Sequence, residues 1–416
     1  MQSMELDREW FENDLLERFV GYAGIYTTSD PHVTKTPSTE RQFDLARLLE
    51  KELAALGVDD VSLDENCRLI ARIPAVGASA DATPIGFMAH VDTAPDFSGE
   101  NVRPQVHENY DGGVIRLGDD YSLDPSVYPM LSNYKDETII TTDGTTLLGA
   151  DDKAGVAEIM CAVRYLISHP EIPHPALEVV FTPDEETGRG MNGFPVEKLR
   201  SKFFFTMDGT DEGGIEAACF TAYKATVTFT GYSIHPGSAR GKMANAASMA
   251  SQFVSMLPRS ESPEATDGSF GFYCPTEVSG TISTARATVI VRDFDHDTAR
   301  RRVAYLEQLA KTIEGAFPGG AVSVDTEKQY LNMADFLEPH PHVVANIQDA
   351  IRATGMEPFI HQIRGGTDGA RLSEMGIPTP NIFTGGQNLH GRYEWIALPA
   401  MVRATKTIIN LVQTFA

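Results

Sequence analysis

Cysteine is scarce: Cys67, Cys161, Cys219 and Cys274 are the four in 416 residues, and they lie far apart. No two share the spacing of a zinc-ligand pair, and they form no dense disulfide framework, so they read as reduced, mostly buried thiols. Basic residues are also few, 34 against 58 acidic. The resulting formal charge of -24 argues against a polyanionic partner such as nucleic acid or an anionic membrane. Long apolar runs are missing. The stretch Met4-Glu5-Leu6-Asp7-Arg8-Glu9-Trp10-Phe11-Glu12 is charged from its start and lacks the uninterrupted apolar segment of a signal peptide. No later run could span a bilayer, and the expectation is a cytoplasmic protein. Internal repeats and low-complexity tracts are absent as well, which removes solenoids and linker arrays. What is present is 42% hydrophobic composition, enough to bury a core in one large or two ordinary domains.

The first third alternates helical and strand periodicity, the pattern of an α/β fold. It predicts a helix around residues 7 to 20 and another from Ser38 to Leu56 with Ser38 as N-cap, then strands near 68 to 73 and 85 to 89. Residues 94 to 146, rich in Pro, Gly, Asp and Asn, read as an excursion at the sheet edge. A helix over 152 to 168 and strands Leu177 to Phe181 and Phe203 to Met207 follow. After Gly213-Gly214 the order becomes βαββαβ: strand 223 to 230, helix 242 to 257, strands 277 to 283 and 286 to 292, helix 297 to 314, strand 321 to 329. That order suits a small ferredoxin-like sandwich. The earlier pattern then returns, with a helix over 341 to 353, a strand from Phe359 to Gln362 and a last helix from 398. The expected organisation is a mixed-sheet α/β catalytic domain in two parts, 1 to 217 and 333 to 416, interrupted by a lid or dimerisation domain over 218 to 332.

Five metal-competent side chains fall in the order His90, Asp151, Glu186, Asp208, His390. Each has an ordinary explanation: a satisfied histidine at a strand end, carboxylates at a helix start, a solvated acidic run, turn chemistry. Four of the five, however, lie where a strand-like run gives way to a polar turn, which is where α/β sheets gather ligand-binding groups. Together they divide into two sets, His90 with Asp208 and Glu186 with His390, each completed by a shared Asp151. Asp92, two residues beyond His90, can accept the other imidazole N–H and fix the tautomer. Of Asp184-Glu185-Glu186, Glu186 is the expected ligand and Glu185 the general base. Mixed imidazole and carboxylate donors suit two zinc ions, with cobalt or manganese as alternatives. Two metals can lower the pKa of a bridging water from about 16 to about 7. At about 1.36 kcal/mol per unit, that removes on the order of 12 kcal/mol from forming the nucleophile.

These motifs, in this order around an inserted βαββαβ segment, resemble the co-catalytic zinc exopeptidase family that includes aminoacylases and carboxypeptidase G. The resemblance runs nearly end to end. It is carried by Gly149-Ala150-Asp151-Asp152-Lys153-Ala154-Gly155, Phe181-Thr182-Pro183-Asp184-Glu185-Glu186, His235-Pro236-Gly237, Val291-Arg292-Asp293-Phe294-Asp295 and Ile363-Arg364-Gly365-Gly366-Thr367-Asp368-Gly369-Ala370. Its implied metal ligands are the five above. It further implies a homodimer in which His235 reaches the neighbouring subunit's site and polarises the scissile carbonyl. Arg292 and Arg364 are implied to receive the peptide's C-terminal carboxylate; their ordinary explanation is pairing with Asp293 and Asp368. A cis peptide between Asp151 and Asp152 is implied too. One departure is Asp208-Gly209-Thr210, where a second glycine is expected after Asp208-Gly209. The activity implied is hydrolysis of the N-terminal peptide bond of tripeptides through a metal-bridging water. The alternatives are an N-acyl-amino-acid amidohydrolase or dipeptidase of the same fold, and a non-catalytic, zinc-stabilised peptide-binding protein.

Overall fold

The computed structural model describes residues 8–416. Its contacts divide the chain into two compact units. One comprises the chain up to Ala217 with Phe336–His361 and Thr367–Ala416; the other comprises Ala218–Asp335 with Gln362–Gly366. The short Gln362–Gly366 segment, which sequence assigns to the catalytic part, thus packs with the inserted unit.

In chain order the strands are β1 (Asp60–Leu63), β2 (Leu69–Ile73), β3 (Ile85–His90), β4 (Gln105–His107), β5 (Ile115–Leu117), β6 (Tyr121–Leu123), β7 (Ile139–Thr141), β8 (Leu177–Thr182), β9 (Phe203–Gly209), β10 (Gly214–Cys219), β11 (Thr221–Thr230), β12 (Phe272–Gly280), β13 (Thr284–Asp293), β14 (Ala321–Tyr330), β15 (Phe359–Ile363), β16 (Asn381–Phe383), β17 (Gly386–Gln387) and β18 (Trp395–Ala397). Eight of them form a mixed sheet in the order β1-β2-β8-β3-β9-β16-β10-β15. At its centre β3 pairs parallel with both β8 and β9, and β16 pairs parallel with β9. All six residues of β3 and of β8 are buried, as expected of central strands covered on both faces of a sheet. The parallel pairing sends the C-terminal ends of β8, β3 and β9 to one edge, and His90, the turn after Thr182, and Asp208 emerge there together.

Helix Ala150–Ser168 packs on β3 and β9. Gly155 allows the approach, since a Cβ there would lie 1.9 Å from the Met207 carbonyl oxygen. The excursion over 94 to 146 is more ordered than its composition predicts. Its three-residue strands β4 and β7 join β18 and β17 in a separate four-stranded sheet, β17-β18-β7-β4, over a core that includes Leu117, Leu131, Ile139 and Trp395. Strands this short carry too few residues for a readable alternation.

The second helix begins at Gln42 and not at Ser38, and its N-cap position is Arg41. Ser38 has another task. Its amide and hydroxyl both donate to the buried Asp184 carboxylate, at 2.7 and 2.5 Å. Strand β10 is one of the elements that sequence reading passes over, because Gly213-Gly214 looks like a boundary.

The other unit is an antiparallel sheet, β12-β13-β11-β14. Helices Ala246–Ser255 and His296–Ala316 pack against it, capped by the side chains of Asn245 and Asp295. Burial alternates along β13, and Ala287, Val289 and Val291 meet Phe253, Leu306 and Leu309 in the core. Pro275 is tolerated because β12 is an edge strand with an irregular register beside it. The observed order is βαββαβ, and no helix among the described residues is long and apolar enough to cross a membrane.

Candidate metal centre

Strand β3 ends at His90, whose imidazole is almost wholly buried. Its Nε2 stands 3.0 Å from Oδ1 of Asp151 and 3.7 Å from Oδ1 of Asp208, which lies on β9. The other oxygen of Asp151, Oδ2, is 3.1 Å from Nε2 of His390, and that nitrogen is 3.2 Å from Oε2 of Glu186. Two groups of three therefore converge, His90 with Asp151 and Asp208, and Asp151 with Glu186 and His390; the donor atoms within each lie within 4.8 Å of one another. Asp151 belongs to both and turns one oxygen toward each.

The donor set fits cations. Each pocket collects imidazole nitrogen and carboxylate oxygen, and Oε1 of Glu186 is buried without a hydrogen-bond partner. Proton affinities in the metal-free chain express the same demand for positive charge. Burial raises Asp208 to about 6 against the opposing pull of His90, and burial with the charge of Asp151 raises Glu186 to about 8. Hydrogen bonds to Asp151 and Glu186 push His390 up to about 11. Burial works against a charged His90, but its hydrogen bonds to Asp151, Asp208 and Asp92 outweigh it and raise its pKa well above the ordinary value. For Asp151 burial favours the neutral acid, yet His390 and His90 prevail and hold the carboxyl below its usual range. Protons on the imidazoles thus supply part of the positive charge that bound cations would bring.

Second contacts shape both pockets. Asp92, fully buried, accepts the backbone N–H of Glu185 at 3.0 Å and of Glu186 at 3.3 Å, and its Oδ1 lies 3.3 Å from Nδ1 of His90. Its main-chain oxygen is nearer that nitrogen, at 3.1 Å. Asp92 therefore serves the acidic turn as much as the imidazole. Glu185 and Glu186 sit in a 3-10 turn after Asp184, which takes a left-handed conformation with φ 57°. That geometry lets consecutive glutamates point differently: Glu186 belongs to a donor group and Glu185 to neither. Burial, then the negative charge of Asp208, raises the Glu185 pKa well above the carboxylate range. The peptide between Asp151 and Asp152 is cis.

Buried carboxylates beyond the five ligand candidates organise this centre, and one of them, Glu394, is missed by sequence reading. Asp152 accepts the amides of His90 and Gly155. Asp184 is held by Ser38 and by the amide of Gln42 at 2.7 Å. Glu394 accepts three amides of the turn before Asp152. Its place four residues after His390 was the available signal. A crevice too tight for a water molecule lies beside His90, lined by Asp152, Thr182, Glu185, Asp208 and Asp368.

The three remaining candidates stand in the unit of β11 to β14. His235 is exposed at a turn, where its Nδ1 accepts the Gly237 amide at 3.1 Å. Arg292 donates to the carbonyls of Tyr223 and Val291 and lies over the Tyr330 ring. Arg364 donates to the carbonyls of Gly268 and Phe270 and to the Thr266 hydroxyl. Neither guanidinium is paired with Asp293, which Arg302 holds at 2.8 Å.

The profile described as peptidase family M20/M25/M40 matches residues 142–414. The chain is 46% identical over 406 residues to peptidase T of Geobacillus thermodenitrificans, covering 97% of this chain and 98% of that one. It is 46% identical over 400 residues to peptidase T of Clostridium perfringens (strain 13 / Type A), covering 96% and 98%. Among solved structures, the fold is similar to aminopeptidase PepT of Bacillus cereus, with a TM-score of 0.76 at 22% identity over 97% of this chain and 98% of that one. It is similar also to a dinuclear metal-binding peptidase of the M20 family from Bacillus subtilis, with a TM-score of 0.66 at 15% identity over 98% of each chain.

Proposed function

The chain belongs to peptidase family M20/M25/M40, and from that premise we propose that it is a two-metal aminopeptidase removing the N-terminal residue of tripeptides. One observation carries the reading: two three-donor groups share Asp151, and Glu185 stands beside them as a carboxyl that neither group uses. His90, Asp151 and Asp208 would hold one divalent cation and Asp151, Glu186 and His390 the other, zinc being the choice that imidazole and carboxylate donors favour. Such a pair, when bound, polarises water and the scissile carbonyl.

The chain's own residues supply the rest. Glu185 takes a proton from the attacking water and returns it to the leaving amine, a role open to a carboxyl that neither donor group uses. Asp92 orients His90 and, through the amides of residues 185 and 186, sets where the base points. Arg292 and Arg364, whose hydrogen bonds go to neutral oxygens, are available for a peptide's C-terminal carboxylate. His235, exposed on its turn, is assigned to the scissile carbonyl of a partner subunit in a homodimer. The relatives named peptidase T support tripeptides as the substrate class.

The test is a time course on di-, tri- and tetrapeptides with zinc or cobalt and with a chelator, identifying the residue released. N-terminal release, fastest on tripeptides and abolished by the chelator, is the expected result. Release from the C-terminus overturns the aminopeptidase assignment. An amidohydrolase or dipeptidase of the same fold would instead prefer acylated amino acids or dipeptides. A peptide-binding protein with structural metals would leave every peptide intact.

A further inference from the structure

Helix Ala150–Ser168 begins at the residues that build the metal centre, yet Gly149, in the N-cap position, has no side chain to satisfy its first amides. Gly149 is left-handed, with φ 82°. The missing acceptor comes from the far end of the chain. Glu394 is 1% exposed, and its Oε2 accepts the N–H of Leu148 at 2.6 Å and of Gly149 at 3.0 Å, while Oε1 accepts the N–H of Asp151 at 3.2 Å. Glu394 also closes the loop that carries His390. Its own N–H donates to the Gly391 carbonyl at 3.2 Å, and the carbonyl of the preceding Tyr393 accepts from Asn388 Nδ2 at 3.1 Å. Directly after it, Trp395 enters β18 and pairs with Thr141, which fixes the residue against a sheet.

One buried carboxylate is thus bonded to the main chain of Asp151 and lies within a tight loop of His390. Those two side chains meet at 3.1 Å although 239 positions separate them in sequence. We propose that Glu394 is a positioning residue of the metal centre, holding Asp151 and His390 in register so that the second cation can be bound. The inference rests on reading Asp151 as the shared ligand. Glu394 touches no reacting atom, and its effect runs through the backbone of residues 148 to 151. Glutamine in its place keeps the shape but turns one oxygen into an N–H₂ that faces main-chain N–H donors, so at least one of the three bonds is lost.

The test titrates zinc into metal-free wild type, Glu394→Gln and Asp151→Asn by calorimetry, with bound metal counted by elemental analysis. Expected for Glu394→Gln is a 10- to 100-fold loss of affinity at one of two sites, the scale typical of residues that orient ligands. Turnover should recover in part as free zinc rises while KM stays near the wild-type value. Two sites with affinities within twofold of wild type in Glu394→Gln overturn the inference, provided Asp151→Asn has lost a site. If Asp151→Asn also binds two zinc ions normally, the shared-ligand reading itself fails and the inference goes with it. Circular dichroism monitors the fold. If Glu394→Gln lacks the native spectrum, Glu394→Asp, one methylene shorter and still charged, is titrated against the same two outcomes.

Discussion

Replacing Asp92 by asparagine changes one atom in a fully buried side chain that serves two parts of the centre. Its Oδ1 accepts the Glu185 amide at 3.0 Å and lies 3.3 Å from the His90 imidazole, while Oδ2 accepts the Glu186 amide at 3.3 Å. Asparagine has a single acceptor oxygen. With that oxygen at the Oδ1 position, the new N–H₂ confronts the Glu186 N–H, donor against donor. The loss is one hydrogen bond to a charged acceptor, about 1.5–3 kcal/mol, together with a buried amide left unpaired at about 1–3 kcal/mol. Because these overlap, about 3 kcal/mol is the working figure, or on the order of a hundredfold in rate if the loss falls on the transition state. The turn carrying Glu185 should relax, and turnover should fall more than KM changes. The assay is steady-state tripeptide hydrolysis beside metal content and a urea-unfolding midpoint. Turnover within threefold of wild type at an unchanged midpoint would refute the idea that this carboxylate organises base and imidazole together.

Further outwards, Ser38→Ala removes the hydroxyl that donates to Asp184 at 2.5 Å and accepts from the Asp30 amide at 2.8 Å. Urea titration should show a loss of about 1.5–3 kcal/mol, with a smaller drop in turnover from the neighbouring base. His361 is raised in pKa chiefly by its hydrogen bond to Glu216, at 3.2 Å, against burial. Its folded value lies above the unfolded one, so its stabilisation is present below about pH 6.5 and is lost as pH rises through the folded value. The gap in unfolding midpoint between wild type and His361→Gln should therefore be wider at pH 6 than at pH 8.5; an equal gap contradicts the linkage. Arg292→Ala should lower kcat/KM about 100-fold for peptides with a free C-terminus, the loss of one or two charge-assisted bonds, and hardly at all for their amides. Equal losses would remove Arg292 from carboxylate recognition.

Much of this could be read from sequence because it follows local patterns. The runs ending at His90, Thr182 and Met207 are mostly apolar and short, so β3, β8 and β9 and the acidic or imidazole groups at their ends are visible together. The βαββαβ order of β11 to β14 shows in periodicity for the same reason. What stayed hidden depends on contacts between distant segments. Nothing local marks Ser38 as a partner of Asp184, 146 positions away, and its residue type fits a helix cap just as well. Glu394 sits between Tyr393 and Trp395 with no motif of its own, and its meaning lies in amides some 245 positions earlier. Strands β4 to β7 are three residues long, too short for their period to stand out from a loop rich in Asp and Gly. Asp92 keeps the contact with His90 that strand alternation predicts, 3.3 Å from Nδ1, but β3 has ended by then and the carboxylate also accepts the amides of the 3-10 turn at Glu185.

The division of labour between ligands and base meets its most direct test in Glu185→Gln, assayed for tripeptide turnover with bound metal counted in the same sample. The account predicts two metals per chain, a native fold and turnover reduced by about 10²–10⁴-fold, the range for loss of a general base. Two bound metals with near-normal turnover would contradict it, because the carboxyl beside the two donor groups would then have no part in moving the proton.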